Sequence, residues 1–283
     1  MKDHWLILFL SSLFLFASGC MSSALSQNCN DKKFQDSLIH RYVENGAEKL
    51  PYHYNNPLWA SYFDSLLAIC PQIASAYQLK AVPAIKNGEY TKAFALNDVA
   101  VNLDPQQFLS YRGFLKCIFT KDYTGAIIDF KKAIQIIPGG GEMDHSFYFY
   151  LGLCYLELGE YQNSSANFAE DIFSQDGGDS SKEVHYNSLL YMGIVNFENK
   201  EPDSAKIYLM KCLNIYKELP EANYYLALIY KSERNTALEI KYLELARNAM
   251  LEGYSMNEDN LFYANYPHQI TLFEINKAIS EMQ

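Results

Sequence analysis

The sequence predicts an all-α fold, an α-α superhelical solenoid of about five helix pairs with helical caps. Three observations predict it. From about residue 34 nearly to the end, apolar residues recur at i, i+3, i+4 and i+7, the spacing of one helix face. No stretch shows the sustained period-two alternation of a half-buried strand. A short pattern of small, aromatic and proline residues also returns at a nearly fixed interval: Tyr90 and Tyr123 stand 33 residues apart, as do Pro105 and Pro138.

The 283 residues, 49% of them hydrophobic, are enough to bury a substantial core. A formal charge of −10 argues against a nucleic-acid partner, which would require a basic face. It reads instead as a solvated acidic surface. With only 14 glycines and 9 prolines, the chain is neither collagenous nor disordered.

Residues 1–19 read as a signal peptide: a short polar start at Lys2 and His4, an apolar run from Trp5 to Phe16, then Ala17-Ser18-Gly19. The run is too short to span a bilayer comfortably. Cys20 follows at once, and Ser18-Gly19-Cys20 resembles the lipobox of bacterial lipoproteins, although the family usually carries leucine where Ala17 stands. The resemblance implies lipidation at Cys20; an ordinary cleaved signal with an incidental cysteine is the competing reading. Met21 is not the aspartate of the best-known inner-membrane retention rule. The resemblance therefore implies a bacterial cell-envelope address, an outer-membrane lipoprotein facing the periplasm. Residues 20–33 are polar and aperiodic and read as a lipid-anchored tether.

Residues 34–250 carry the repeats. A half-repeat near 57–71 shows Trp59, Phe63, Leu66 and Ile69 before Pro71. Complete copies follow: Gly88-Glu89-Tyr90 with Ala93, Ala100 and Pro105; then Asp122-Tyr123 with Ala126, Phe130, Ala133 and Pro138. Later copies show Leu151-Gly152, Tyr155, Tyr161 and Phe168; Met192-Gly193, Phe197, Pro202, Ala205 and Leu209; and Leu226-Ala227, Tyr230, Leu243 and Ala246. Surplus residues fall in the glycine-rich loops at 139–141 and 176–179, and the second copy has one extra residue between Gly113 and Tyr123. Residues 251–283 form a C-terminal helical cap, with Leu272, Ile275 and Ile279 on one helix face.

These residues resemble the degenerate pattern of the tetratricopeptide repeat (TPR), a helix–turn–helix of about 34 residues. In this pattern Gly152 and Gly193, with Ala93, Ala126 and Ala205 opposite, let paired helices approach. Tyr123 and Tyr161 fill the turns, and Pro105 and Pro138 stop the second helices. Met143-Asp144-His145-Ser146 and Asn257-Glu258-Asp259-Asn260 also resemble segments of a group of bacterial TPR proteins, a likeness taken no further than the fold.

Motifs for chemistry are missing from the sequence. There is no G-x-S-x-G, S-x-x-K or H-E-x-x-H, and no Lys-Ser/Thr follows the glycines at 139–141. The 6 histidines are dispersed, with His145 read as a helix cap. Asp176, Asp179 and Glu183 read as a solvated loop rather than a calcium site. Setting Cys20 aside, five scattered cysteines signal neither a disulfide framework nor zinc, and Cys117, Cys154 and Cys212 read as buried thiols. No enzyme activity, cofactor or metal is expected.

The TPR resemblance implies that first helices line a concave face. The two positions before each Leu-Gly pair carry over to Phe149 and Tyr150, Leu190 and Tyr191, and Tyr224 and Tyr225, with Ser110 and Tyr111 in the second copy. The position after carries over to Val82, Phe114, Leu153, Ile194 and Leu228. Chaperone-binding TPRs hold a carboxylate there with Lys, Arg and Asn, and none of these residues is cationic or Asn. The candidate binding surface is thus an aromatic ladder of Tyr111, Tyr150, Tyr191 and Tyr225. It would hold a peptide or helix, or be filled by a terminal segment of the same chain, or pack between repeats.

The expected role is a non-catalytic protein–protein interaction scaffold or assembly factor. The expected partner is an unidentified protein or peptide, with a membrane reached through the lipid anchor and no nucleic acid. The alternatives are a glycan- or small-ligand-binding lipoprotein and an enzyme accessory subunit.

Overall fold

The computed structural model describes residues 29–179, 182–256, 258 and 262–282. The expected signal peptide, Cys20 and most of the expected tether lie outside the described residues. Among those described, thirteen α-helices follow one another, with a single pair of two-residue strands. The all-α solenoid class is therefore correct. The chain divides into two compact units, one up to Phe108 and one from Leu109.

In the first unit, α1 (Lys32–Ile39) runs on as a π-turn, His40–Glu44, and two 3-10 turns lead to α2 (Trp59–Ile69). Leu38 and Val43 pack with Trp59, Phe63 and Leu66 in one apolar cluster. Asp31 starts α1 by accepting from the backbone N–H of Lys33. The helices α3 (Ala74–Lys86) and α4 (Tyr90–Leu103) form the first full pair, with Ala81, Ala93 and Ala100 buried between them.

This packing overturns the expectation that no disulfide is present. Cys29 and Cys70, 41 residues apart, form a bridge with their Cα atoms 5.5 Å apart. The docking of α1 on α2, rather than any local spacing, brings them together. The free thiols Cys117, Cys154 and Cys212 are buried, as expected.

The helix α5 (Pro105–Phe114) crosses the division and continues as a π-segment, Leu115–Thr120. The π-turn absorbs the one extra residue of the second copy, so Gly113 keeps its register against Phe130 on α6 (Tyr123–Ile136). The pairs α7 (Phe147–Glu157) and α8 (Tyr161–Asp176), α9 (Tyr186–Glu198) and α10 (Pro202–Ile215), and α11 (Pro220–Ser232) and α12 (Thr236–Leu251) follow, with α13 (Leu272–Ser280) on α12. Close approach within the pairs is real. A Cβ on Gly152 would lie 2.8 Å from the Phe168 ring, and one on Gly193 would lie 2.7 Å from Leu209.

Proline acts differently from the expectation at one point. Pro105 does not merely follow α4; it is the first residue of α5, as Pro202 and Pro220 are of α10 and α11. The first turn has no use for the missing N–H, and the fixed φ suits it.

The glycines at 139–141 belong to a hairpin. β1 (Gly141–Glu142) pairs with β2 (His145–Ser146) in the register Gly141 with Ser146 and Glu142 with His145. Met143 and Asp144 form the turn with φ of 44° and 66°. A side chain on Gly140 would strike the Phe147 ring. The hairpin therefore needs its glycines, and it delivers His145 to the start of α7.

Candidate functional site

The helix α7 buries Phe147 and every residue from Phe149 to Leu156, so it is covered on all sides. The helix α9 buries the unbroken run from Asn187 to Asn196. A helix apolar all round needs a second cover beyond its own repeat partner. Neighbouring repeats supply part of it, and the described residues between Gly253 and Thr271, none of them helical, add to it with Met256, Tyr266 and Ile270 buried.

Two of the four predicted ladder residues, Tyr191 and Tyr225, meet this segment directly. Tyr191, fully buried, donates its hydroxyl to the Pro267 carbonyl at 2.8 Å, with Met256 Sδ at 3.7 Å. The Tyr225 hydroxyl lies 2.7 Å from His268 Nδ1. His268 Nε2 pairs with Glu157 Oε1 at 3.2 Å, and the Tyr123 hydroxyl donates to Glu157 at 3.1 Å. Burial alone would push the Glu157 carboxyl up, but His268, Tyr123 and Lys121 outweigh it and hold its pKa below the usual value. Lys121 also donates to the Asn265 carbonyl. Further along, the Tyr216 hydroxyl donates to the Ser255 carbonyl at 3.1 Å.

The remaining candidates sort by depth. Tyr150 is fully buried, stacks on Phe130 at 5.1 Å and donates to the Glu142 carbonyl at 3.0 Å. Phe149 and Leu190 are fully buried, Phe149 meeting Phe168 and Tyr191 edge to face. Tyr111 and Tyr224 are half-buried; Tyr111 stacks on Phe114, and Tyr224 meets Tyr225 edge to face. Burial raises the Tyr150 and Tyr191 phenols well above their ordinary range. Cys20 lies outside the described residues.

His145 does not cap a helix. Ser146 caps α7, accepting from the Phe149 N–H at 3.2 Å, while His145 turns inward against the Phe149 ring at 3.8 Å. Its Nε2 lies 2.8 Å from Glu258 Oε1, and the His185 ring stands edge-on at 5.0 Å. His185 caps α9 through Nδ1, which accepts weakly from the Asn187 N–H at 3.3 Å. Burial first, and then the neighbouring His145, hold the His185 imidazole below its usual pKa. Asp171, also buried, accepts from Ser146 Oγ at 2.7 Å. The two polar segments singled out in the sequence thus meet through His145 and Glu258. Sequence periodicity could not show this, because three separate loops converge. Asp176, by contrast, accepts from the Gly178 N–H as an ordinary loop turn.

No protein-family model and no curated protein matches the chain. Solved structures do. PilW, described as a widely conserved type IV pilus biogenesis factor, superposes with a TM-score of 0.61 at 12% identity, over 78% of this chain and 96% of that one. PilF of Pseudomonas aeruginosa gives 0.59 at 16%, over 78% and 95%. YrrB, described as a TPR protein with an unusual peptide-binding site, gives 0.51 at 16%, over 69% and 95%. At these identities the likeness establishes the fold.

Proposed function

Starting from a chain that folds as a tetratricopeptide-repeat protein, we propose that it is a non-catalytic protein-interaction scaffold, anchored through Cys20 at a bacterial cell envelope. The observation that carries this reading is the grip on Ser255, Met256, Glu258, Asn265, Pro267 and His268. Glu157 of α7, Tyr191 of α9 and Tyr225 of α11 hold this stretch, Tyr191 through the Pro267 carbonyl oxygen. Carbonyl contacts of this kind do not depend on the side chains of the bound segment, which suits capture of peptide. In the isolated chain the occupant is its own C-terminal segment, and a partner peptide would compete with it. YrrB, whose description names a peptide-binding site, lends the reading support by likeness of fold.

The Cys29–Cys70 bridge supports the export part of the proposal, because disulfides persist in oxidising compartments such as the periplasm. It is independent of the lipobox resemblance. Site-specific photocrosslinking from position 224, half-exposed beside the ladder, tests the interaction role in cells. The expected result is a discrete adduct to another polypeptide; crosslinks confined to residues 254–283 of the same chain would reject the role. Fatty-acid labelling tests the anchor: label on the wild type and none on Cys20→Ala is expected, and an unlabelled wild type refutes it.

A further inference from the structure

Beyond the interaction role, and independent of it, we infer that His145, His185 and Glu258 form a zinc site that pins the C-terminal segment to α7 and α9. Each offers one ligand atom, and the three atoms lie within 4.8 Å of one another. His145 Nε2 and Glu258 Oε1 are at 2.8 Å. Donors sharing a tetrahedral zinc at about 2.0–2.1 Å sit roughly 3.3 Å from one another, so a small adjustment of these side chains admits the ion. Two imidazoles and one carboxylate are a zinc donor set.

The surroundings point the same way. His145 and Glu258 are shielded, with side-chain exposures of 3% and 5%, so their pairing is held away from water. Asn187, fully buried, donates from Nδ2 to Glu258 Oε1 and leaves its Oδ1 without a partner among the described residues. An orphaned buried acceptor costs about 1–3 kcal/mol. A zinc-bound water would supply the missing donor. A cavity of about 490 Å³ lies beside the two imidazoles, lined by His145, Ser146, Asp171, Gln175 and His185. Asp171, bonded to Ser146 at the cavity wall, adds negative charge that favours a cation.

The test is a metal titration of the purified full chain, carrying no histidine tag, with Zn²⁺ read by competition against a chromogenic chelator and Co²⁺ read by its visible spectrum. Wild type is expected to take up one Zn²⁺ per chain and to give the intense bands of tetrahedral Co²⁺. His185→Ala and Glu258→Gln should each weaken uptake at least tenfold. His185 is partly exposed, so its substitution leaves the core intact, and circular dichroism of both variants checks the fold. A thermal melt gives a second readout: Zn²⁺ should raise Tm of the wild type and not of His185→Ala. No uptake by the wild type, or uptake unchanged in either variant, overturns the assignment.

Discussion

Replacing Tyr191 measures how firmly the C-terminal segment sits on the ladder. Its ring is fully buried, stacked on Phe168 at 5.8 Å and 3°, and edge-on to Phe149 at 5.6 Å. Its hydroxyl reaches the Pro267 carbonyl at 2.8 Å. Tyr191→Ala removes the whole ring from a closed site and should cost about 3–5 kcal/mol, as for other buried aromatics. Tyr191→Phe keeps the packing and deletes the hydroxyl. It should cost about 1–3 kcal/mol, since the carbonyl beneath the segment loses its partner. An uncovered tyrosine on an open groove would lose only about 0.5 kcal/mol on truncation. Urea unfolding followed by far-UV circular dichroism separates these cases. A domain of this size shifts its Tm by about 2–4 °C per kcal/mol, so Tyr191→Ala should melt roughly 6–20 °C lower. A loss below about 1 kcal/mol for Tyr191→Ala would refute the covered-ladder geometry.

Three further outcomes follow from the packing and the charges. Gly152→Ala should cost about 1–3 kcal/mol, because its Cβ would lie 2.8 Å from the Phe168 ring; an unchanged melting temperature contradicts the pairing of α7 with α8. Glu221 is fully buried at the start of α11, and burial pushes its carboxyl up to about 7. The folded state thus holds a proton that the unfolded state releases near pH 4.5, so stability should fall as pH rises from there to about 7. The total is on the order of 3 kcal/mol, and Glu221→Gln should flatten that slope in melts taken across the window. Reducing Cys29–Cys70, which closes a 41-residue separation, should cost the first unit about 4 kcal/mol; a melt unaffected by reductant would show that the bridge adds nothing.

Much of the fold was legible because TPR packing is local. Gly152 and Gly193 were read as points of close approach from their place in the repeat, and each meets a side chain on the next helix, Phe168 and Leu209. The extra residue before Tyr123 was visible too, though not that a π-segment would absorb it. What escaped were meetings between aperiodic segments. Cys29 and Cys70 come together through the docking of α1 on α2, and His145, His185 and Glu258 through three separate loops. Neither juxtaposition leaves a spacing in the sequence. The cover over the ladder did leave a signal. The run Phe149 to Leu156 is apolar on every side of α7, which an exposed face would not tolerate.

Hydroxyl-radical footprinting of the tyrosines tests the central claim, that the C-terminal segment occupies the aromatic ladder, most directly. Tyr52, 82% exposed, and Tyr263, 37% exposed, serve as reactive references in the same digest. With the segment seated, Tyr150, Tyr191, Tyr225 and Tyr266, exposed by 0%, 0%, 6% and 2%, should be protected throughout. Labelling of Tyr191 and Tyr225 at rates near that of Tyr52 would mean that the ladder stands open and that the segment lies elsewhere.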